Sequence, residues 1–404
     1  MIAGAQVLTL FALMPVTSGA AKQELVMLPT TILGRLGFIL LAIVSVIAVY
    51  FAYRYFAPRR TPAIKVEGSI AELIAVPING VKQWLLIRGV DKTKPVLLFV
   101  HGGPGSAMIG MIRNYQRELE KHFVVVQWDQ RGAGLSGMEP VDDATINKEQ
   151  LVADGVEVTK YLLQRFKKDT IFLVGHSWGS ALGYILARRY PQYYRAFAGL
   201  GQMSRDAEGL AYAETLKVAR AANHQQAIEE LLVLGAPPYT KIPSVKGTLH
   251  KAEPGQEALA GSLVRYKWSA IMGGDAKYIE ISHLVVKELL FSAEYTLKDA
   301  MAWLKNKGRS ANLTYNECIR DLDLYKEGTQ MKVPIYFFLG RWDLLAVPSG
   351  AEALMAAISA PQKEVIWFDA GHEIHWERPE EYQEALINRF ESLKSPVHHE
   401  MPVG

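Results

Sequence analysis

Ile171-Phe172-Leu173-Val174-Gly175-His176-Ser177-Trp178-Gly179-Ser180 is the stretch on which the reading of this chain turns. An apolar run closes on a glycine and is followed at once by the Ala-containing helical pattern Ser180–Tyr190. Glycines two before and two after Ser177 permit a sharp strand-to-helix turn that leaves the serine hydroxyl exposed at its apex. The helix starting there aims its N-terminus at the same point, which favours developing negative charge. A serine that only capped a helix would not need glycine on both sides. The stretch predicts a nucleophilic Ser177 at the C-terminal end of a strand.

Outward from this turn, short apolar runs alternate with amphipathic segments. Val96–Val100, Phe123–Trp128, Ile171–Gly175, Phe197–Leu200, Val333–Leu339 and Glu364–Phe368 read as strands. Lys148–Arg165, Ser180–Tyr190 and Gly350–Ile358 read as helices between them. Such alternation predicts an α/β fold, a mostly parallel sheet with helices on both faces. From about Met203 to Gln330 the pattern is helical only, with Asp206–Ala222, Gln225–Leu234, Leu259–Met272 and His283–Lys305 as the examples. A helical insertion between two strands is expected to cap the C-terminal ends of the sheet, where open α/β sheets bind ligands. The expected organisation is a core in two parts, 63–202 and 331–395, a helical cap over 203–330 and a tail over 396–404.

Two further motifs fall at strand ends. His101-Gly102-Gly103-Pro104-Gly105-Ser106 follows Val96–Val100. Acyl transfer needs two backbone N–H groups aimed at the oxyanion, and glycines let the backbone approach the substrate. The expected donors are Gly103 and Trp178, with Gly102 the neighbour able to replace Gly103. Asp343 follows Val333–Leu339 and His372 follows Glu364–Phe368, in the order serine, acid, histidine that this architecture uses. Asp369 and His375 are the nearby decoys, one too close to its own strand end and the other three residues further on. Gln202, at the close of Phe197–Leu200, and Trp268, in the aromatic-rich cap, are the candidate substrate contacts. His224, His250, His283 and the His398-His399 pair have no second ligand at metal spacing, so neither a metal nor a cofactor is expected.

Composition removes other classes. The 404 residues carry 44 basic and 41 acidic side chains, and the basic ones are not clustered, which argues against a nucleic-acid partner. One cysteine, Cys318, excludes an intrachain disulfide. Leu36 to Tyr53 is an uncharged apolar stretch whose helix would cover about 27 Å, enough for a single transmembrane pass. The segment 1–35 precedes it. Tyr50, Phe51, Tyr53, Tyr55 and Phe56 supply an aromatic belt, and Arg54, Arg59 and Arg60 stop the span. A cleaved signal peptide is the rival reading. The positive-inside count favours a cytoplasmic C-terminal part by two charges.

His101–Ser106, Asp129–Ser136 (DQRGAGLS) and Gly175–Ser180, with Gly340–Asp343 and Gly371-His372 behind them, resemble the prolyl iminopeptidase-like branch of the α/β-hydrolase superfamily. The resemblance runs from about Val66 to Leu393 and implies an α/β-hydrolase fold with Ser177 as nucleophile, Asp343 as acid and His372 as base. It also implies that Arg131 ties loops together. The branch's cap segment with its amine-binding glutamates has no counterpart here, where Arg265-Tyr266-Lys267-Trp268-Ser269-Ala270 stands instead. The expectation is therefore a membrane-anchored serine hydrolase acting on a small-molecule ester or lactone. An aminopeptidase acting on a short peptide is the alternative, and a silent binding module the remote one.

Overall fold

A computed structural model describes residues 32–103, 105–239, 241–243, 249–251, 257–272 and 287–393. The segment up to 31, Pro104 and the tail from 394 lie outside the described residues. Residues up to Tyr53 form one unit and Arg54 onward a second. The first is helical: α1, Ile32–Phe56, contains a 22-residue stretch, Arg35–Phe56, with a mean hydropathy of 2.5 over its most apolar window. Its side chains from Arg35 to Tyr50 are exposed all round. By length and composition it suffices to cross a membrane.

The second unit is built on an eight-stranded sheet. β1 (Ile70–Ile78), β2 (Val81–Gly89), β3 (Val96–Val100), β4 (Val124–Asp129), β5 (Ile171–His176), β6 (Tyr194–Leu200), β9 (Ile335–Gly340) and β10 (Lys363–Phe368) stand in the order β1-β2-β4-β3-β5-β6-β9-β10. From β4 to β10 all neighbours are parallel. Both faces are buried, and the two-residue pleat sorts side chains between them. Val96, Leu98 and Val100 enter one core cluster while Leu97 and Phe99 enter the other. Helices α2 (Lys148–Phe166), α3 (Trp178–Arg189) and α8 (Pro348–Ala357) cover the first face, and α9 (Pro379–Ser392) covers the second.

Three features depart from the sequence expectation. β1 and β2 form an antiparallel hairpin at the sheet edge that the reading missed, turned by Asn79 and Gly80 with φ of 44° and 81°. An Asn-Gly pair between two apolar runs is the standard signal for that turn. The cap is not helices only. Beside α4 (Ala207–Ala221), α5 (Gln225–Leu234) and α6 (Glu257–Met272), it holds a short hairpin of β7 (Lys241–Pro243) and β8 (Leu249–Lys251).

The single helix expected over His283–Lys305 is broken, and its start lies outside the described residues. Residues 287–291 are helical, and α7 begins afresh at Leu297 and runs to Thr314. The break is built by a reciprocal cap. Asp299 Oδ2 accepts from the Thr296 amide at 3.0 Å, and Thr296 Oγ1 accepts from the Asp299 amide at 3.1 Å.

Candidate active site

The strand order decides where chemistry can occur. β4 lies on one side of β3 and β5 on the other, so the winding reverses at β3 and the loops after β3 and β5 part to leave a crevice. The His101–Ser106 loop follows β3 and the Ser177 turn follows β5. Further along the same edge, Asp343 follows β9 and His372 follows β10.

Ser177 sits at φ 53° and ψ −120°, a conformation costly for a residue with a Cβ. Its amide donates to the carbonyl of Leu200 at 2.9 Å, and its own carbonyl accepts from the Ser180 amide at 2.8 Å and the Ser180 hydroxyl at 2.6 Å. The flanking glycines answer to close approach. A Cβ on Gly175 would overlap the Gly179 carbonyl, and one on Gly179 would overlap the carbonyl of Val100 at the end of β3. Packing of α3 against β3 and β5 thus requires both.

Asp343 and His372, expected as acid and base, lie side by side. His372 Nδ1 lies 2.8 Å from Asp343 Oδ2, both side chains being buried. Asp343 Oδ1 accepts from the amides of Leu345 at 2.8 Å and Ala346 at 2.9 Å, so the carboxylate is held at both oxygens. This leaves Nδ1 as the protonated nitrogen and Nε2 as the one able to accept. Of the decoys, Asp369 accepts from the Trp342 indole at the surface. The His375 ring lies buried against His176 and Phe99.

Gly201, at φ 50°, is a site residue that the sequence reading passed over. A Cβ there would come within 2.9 Å of His372 Cε1 and Nδ1. Gly201→Ala is expected to displace the imidazole from Asp343 and lower kcat on the order of a hundredfold. Melting curves beside the kinetics check it. A variant of unchanged kcat would show that the ring accommodates the methyl group.

In the His101–Ser106 loop, Gly102 stands against Ser177, since its Cβ would lie 2.9 Å from Ser177 Cβ. Gly103 has φ 128°, reached easily only by glycine. Gln130 clamps this loop: its side-chain amide donates to the His101 carbonyl at 2.8 Å, and its Oε1 accepts from the Trp178 indole at 3.0 Å. His101 Nε2 accepts from the Gln130 amide at 3.2 Å, so Nδ1 carries the proton and donates to the Gly102 carbonyl at 2.8 Å. Burial pushes the His101 imidazole down to about 4, keeping it neutral. Burial also pushes the Asp129 carboxyl up to about 7, against hydrogen bonds from Tyr295 and the Leu135 amide.

The remaining residues fall away from the crevice. Arg131 is buried and pairs at two points with Asp154, at 2.7 and 3.0 Å, while also donating to the Asn79 carbonyl and Thr145 Oγ1. It ties the β1–β2 turn to α2, a loop-binding role. Gln202 turns back on its own chain, donating to the Met203 carbonyl at 2.7 Å, with Oε1 lodged where a Gly199 Cβ would be. Trp268 belongs to the cap's own core with Leu216, Ala219, Ala227 and Leu231, its indole donating to Glu230 at 2.8 Å. The structure thus places both expected substrate contacts in packing.

Folding also assembles a cluster that linear spacing conceals. The ligand-capable atoms of His176, Glu373 and His375 lie within 4.8 Å of one another, the one group of that kind among the described residues. His176 donates from Nε2 to the His372 carbonyl at 3.1 Å. Coordination through that nitrogen would break this bond to the His372 backbone. Burial, followed by the neighbouring imidazoles, pushes His176 well below the usual histidine range, and burial pushes His375 down to about 3. His176 and His375 form a neutral, buried layer behind His372.

Comparison with known proteins places these residues in context. The family model described as the alpha/beta hydrolase fold matches residues 95–379. A relative named probable aminopeptidase YbaC, from Bacillus subtilis, is 29% identical over 321 residues, covering 79% of this chain and 96% of that protein. The solved proline iminopeptidase of Mycobacterium smegmatis aligns with a TM-score of 0.52 at 15% identity, over 80% of this chain and 98% of that one. A solved bacterial membrane phospholipase A aligns with a TM-score of 0.50 at 17% identity, over 89% of this chain and 98% of that one. At those identities the two structures share a fold with this chain.

Proposed function

The chain belongs to the α/β-hydrolase fold family, and from that premise we propose a membrane-anchored serine hydrolase that cleaves carboxylic esters through an acyl-enzyme. In this reading Ser177 Oγ attacks the ester carbonyl while His372 Nε2 takes its proton, with Asp343 steadying the imidazolium. The oxyanion is met by the amides of Trp178 and Gly103, or Gly102 in its place. Collapse breaks the ester C–O bond, and His372 returns the proton to the departing alcohol. Water, deprotonated by His372, then attacks the acyl-Ser177 carbon, releasing the acid and restoring the serine. Gln202 and Trp268 are spent on packing and leave substrate contact to other residues, and α1 serves as the anchor.

The choice of ester over peptide rests on the cap's carboxylates. Recognition of a substrate's α-amino group needs an uncommitted carboxylate. Among the described cap residues, Glu208 is paired with Arg265, Glu214 with Lys217, Glu230 with Lys267, Glu294 with Arg113 and Asp299 with Arg59, while exposed Glu229 accepts from Gln225. Of these, Glu208 is largely buried with Arg265, and recruiting it would strand a buried cation, while Glu294 and Asp299 are buried against the partly exposed Arg113 and Arg59. The second reading, an aminopeptidase, draws support from the name of the Bacillus subtilis relative.

Proline-p-nitroanilide and its N-acetyl form separate the two. We expect acetylation to leave kcat/KM unchanged and p-nitrophenyl esters to be cleaved faster than either. A preference for the free amine of about tenfold or more would make the aminopeptidase reading the better one, since a desolvated charge pair is worth at least that much.

A further inference from the structure

The chain enters its catalytic unit at Arg54, and that entry is fixed to the 290–299 segment. Buried Arg54 donates to the carbonyls of Leu290 at 3.1 Å and Tyr295 at 2.9 Å. Arg59 pairs at two points with Asp299, at 2.9 and 2.7 Å, and the Thr61 hydroxyl donates to Glu294 at 2.7 Å. Residues 54–61 are therefore a strap laid along 290–299, not a loose linker. The strapped segment reaches inward, where the Tyr295 hydroxyl donates to Asp129 Oδ2 at 2.6 Å. Gln130, the next residue along, is the one that clamps His101 and Trp178.

Both segments carry exposed apolar side chains. Phe56 is 82% exposed, Phe291 56%, Met301 52% and Leu304 51%. Met301 and Leu304 lie three residues apart on one face of α7, just after Asp299. Exposed Arg60, Lys298 and Lys305 stand among them in sequence. Apolar side chains mixed with basic ones are the composition of a surface that lies in the headgroup–acyl boundary and meets anionic lipid. Covalent continuity sets the location, because Arg54 is the residue after the apolar span Leu36–Tyr53.

We propose that the edge formed by the 54–61 strap and the 290–304 segment rests in the bilayer interface, and that the site takes its substrate there, a long-chain acyl ester of an amphiphile. This rests on the membrane-anchored ester-hydrolase reading above. An amphiphile's ester bond lies at the depth where interfacial side chains sit, so a site opening at this edge meets it without drawing the acyl chain through water.

The test uses the full chain in vesicles of phosphatidylcholine and phosphatidylglycerol. A nitroxide on Leu304→Cys should show the oxygen accessibility of a membrane-inserted site, and one on Leu232→Cys, exposed on α5, that of water. Native Cys318 is buried away from the label. The triple variant Phe291→Gln, Met301→Gln, Leu304→Gln should lose about tenfold in hydrolysis of a vesicle-embedded palmitoyl ester and keep its rate on p-nitrophenyl acetate.

An aqueous label at 304, or equal loss on both esters, overturns the proposal. A wild type that does not float with the vesicles overturns it together with the anchor. Cleavage of proline-p-nitroanilide but neither ester overturns the ester chemistry, and the label depth still reports the surface independently.

Discussion

Ser177→Ala is expected to lower kcat on the order of 10⁴- to 10⁶-fold, leaving KM and the melting temperature near those of the wild type. The Oγ atom forms the bond that divides one difficult displacement into two easier ones, and no neighbouring side chain replaces it. The turn itself depends on the backbone at Ser177 and on the two glycines, so alanine is tolerated structurally. His372→Ala should cost about as much, and the double variant little more, because the triad acts as a unit. His375→Ala should retain most activity, since that ring packs against His176 and Phe99 while Asp343 is held by His372. A fluorophosphonate probe reads the assignment directly. It should label the wild type once and the alanine variant at 177 not at all, and persistent labelling would remove Ser177 from the role.

Asp154→Ala is expected to destabilise the catalytic unit by about 3–5 kcal/mol, the cost of leaving a buried guanidinium unpaired. Asp154 is fully buried and accepts from Arg131, Asn79, Gln83 and Gln150. Its removal strands Arg131 and frees the turn of the β1–β2 hairpin from α2. Denaturant midpoints of the detergent-solubilised chain measure the effect. A change below about 1 kcal/mol would place the pair among those whose contribution is negligible, as exposed ion pairs are. Arg131→Met with Asp154→Leu should recover only part of the loss, because it removes the stranded guanidinium but leaves the Asn79, Gln83 and Gln150 amides without their acceptor.

The sheet was legible in the sequence because a strand buried on both faces must be a continuous apolar run, as Val96–Val100 and Ile335–Gly340 are. The edge hairpin escaped because its strands are partly exposed and carry Glu72, Lys82, Gln83 and Arg88, which blur the apolar signal. The cap was read least well. Its hairpin is two three-residue strands, and the α7 start depends on hydrogen bonds of Thr296 and Asp299 that periodicity does not register.

By itself the sequence determined the chemistry-bearing turns. Glycines at 175, 179, 102 and 103 and polar residues directly after apolar runs are local requirements, and local requirements leave local marks. Only the tertiary structure decided which distant groups meet. It joined Asp343 to His372, placed Gly201 beneath that imidazole, and set the His176 and His375 rings edge to face behind it. It took Trp268 into the cap core, folded Gln202 back on its own backbone, and strapped Arg54 and Arg59 to the 290–299 segment. The reason is physical: a side chain's role in packing or catalysis is set by neighbours that the fold brings within a few ångströms, and separation along the chain carries no record of them.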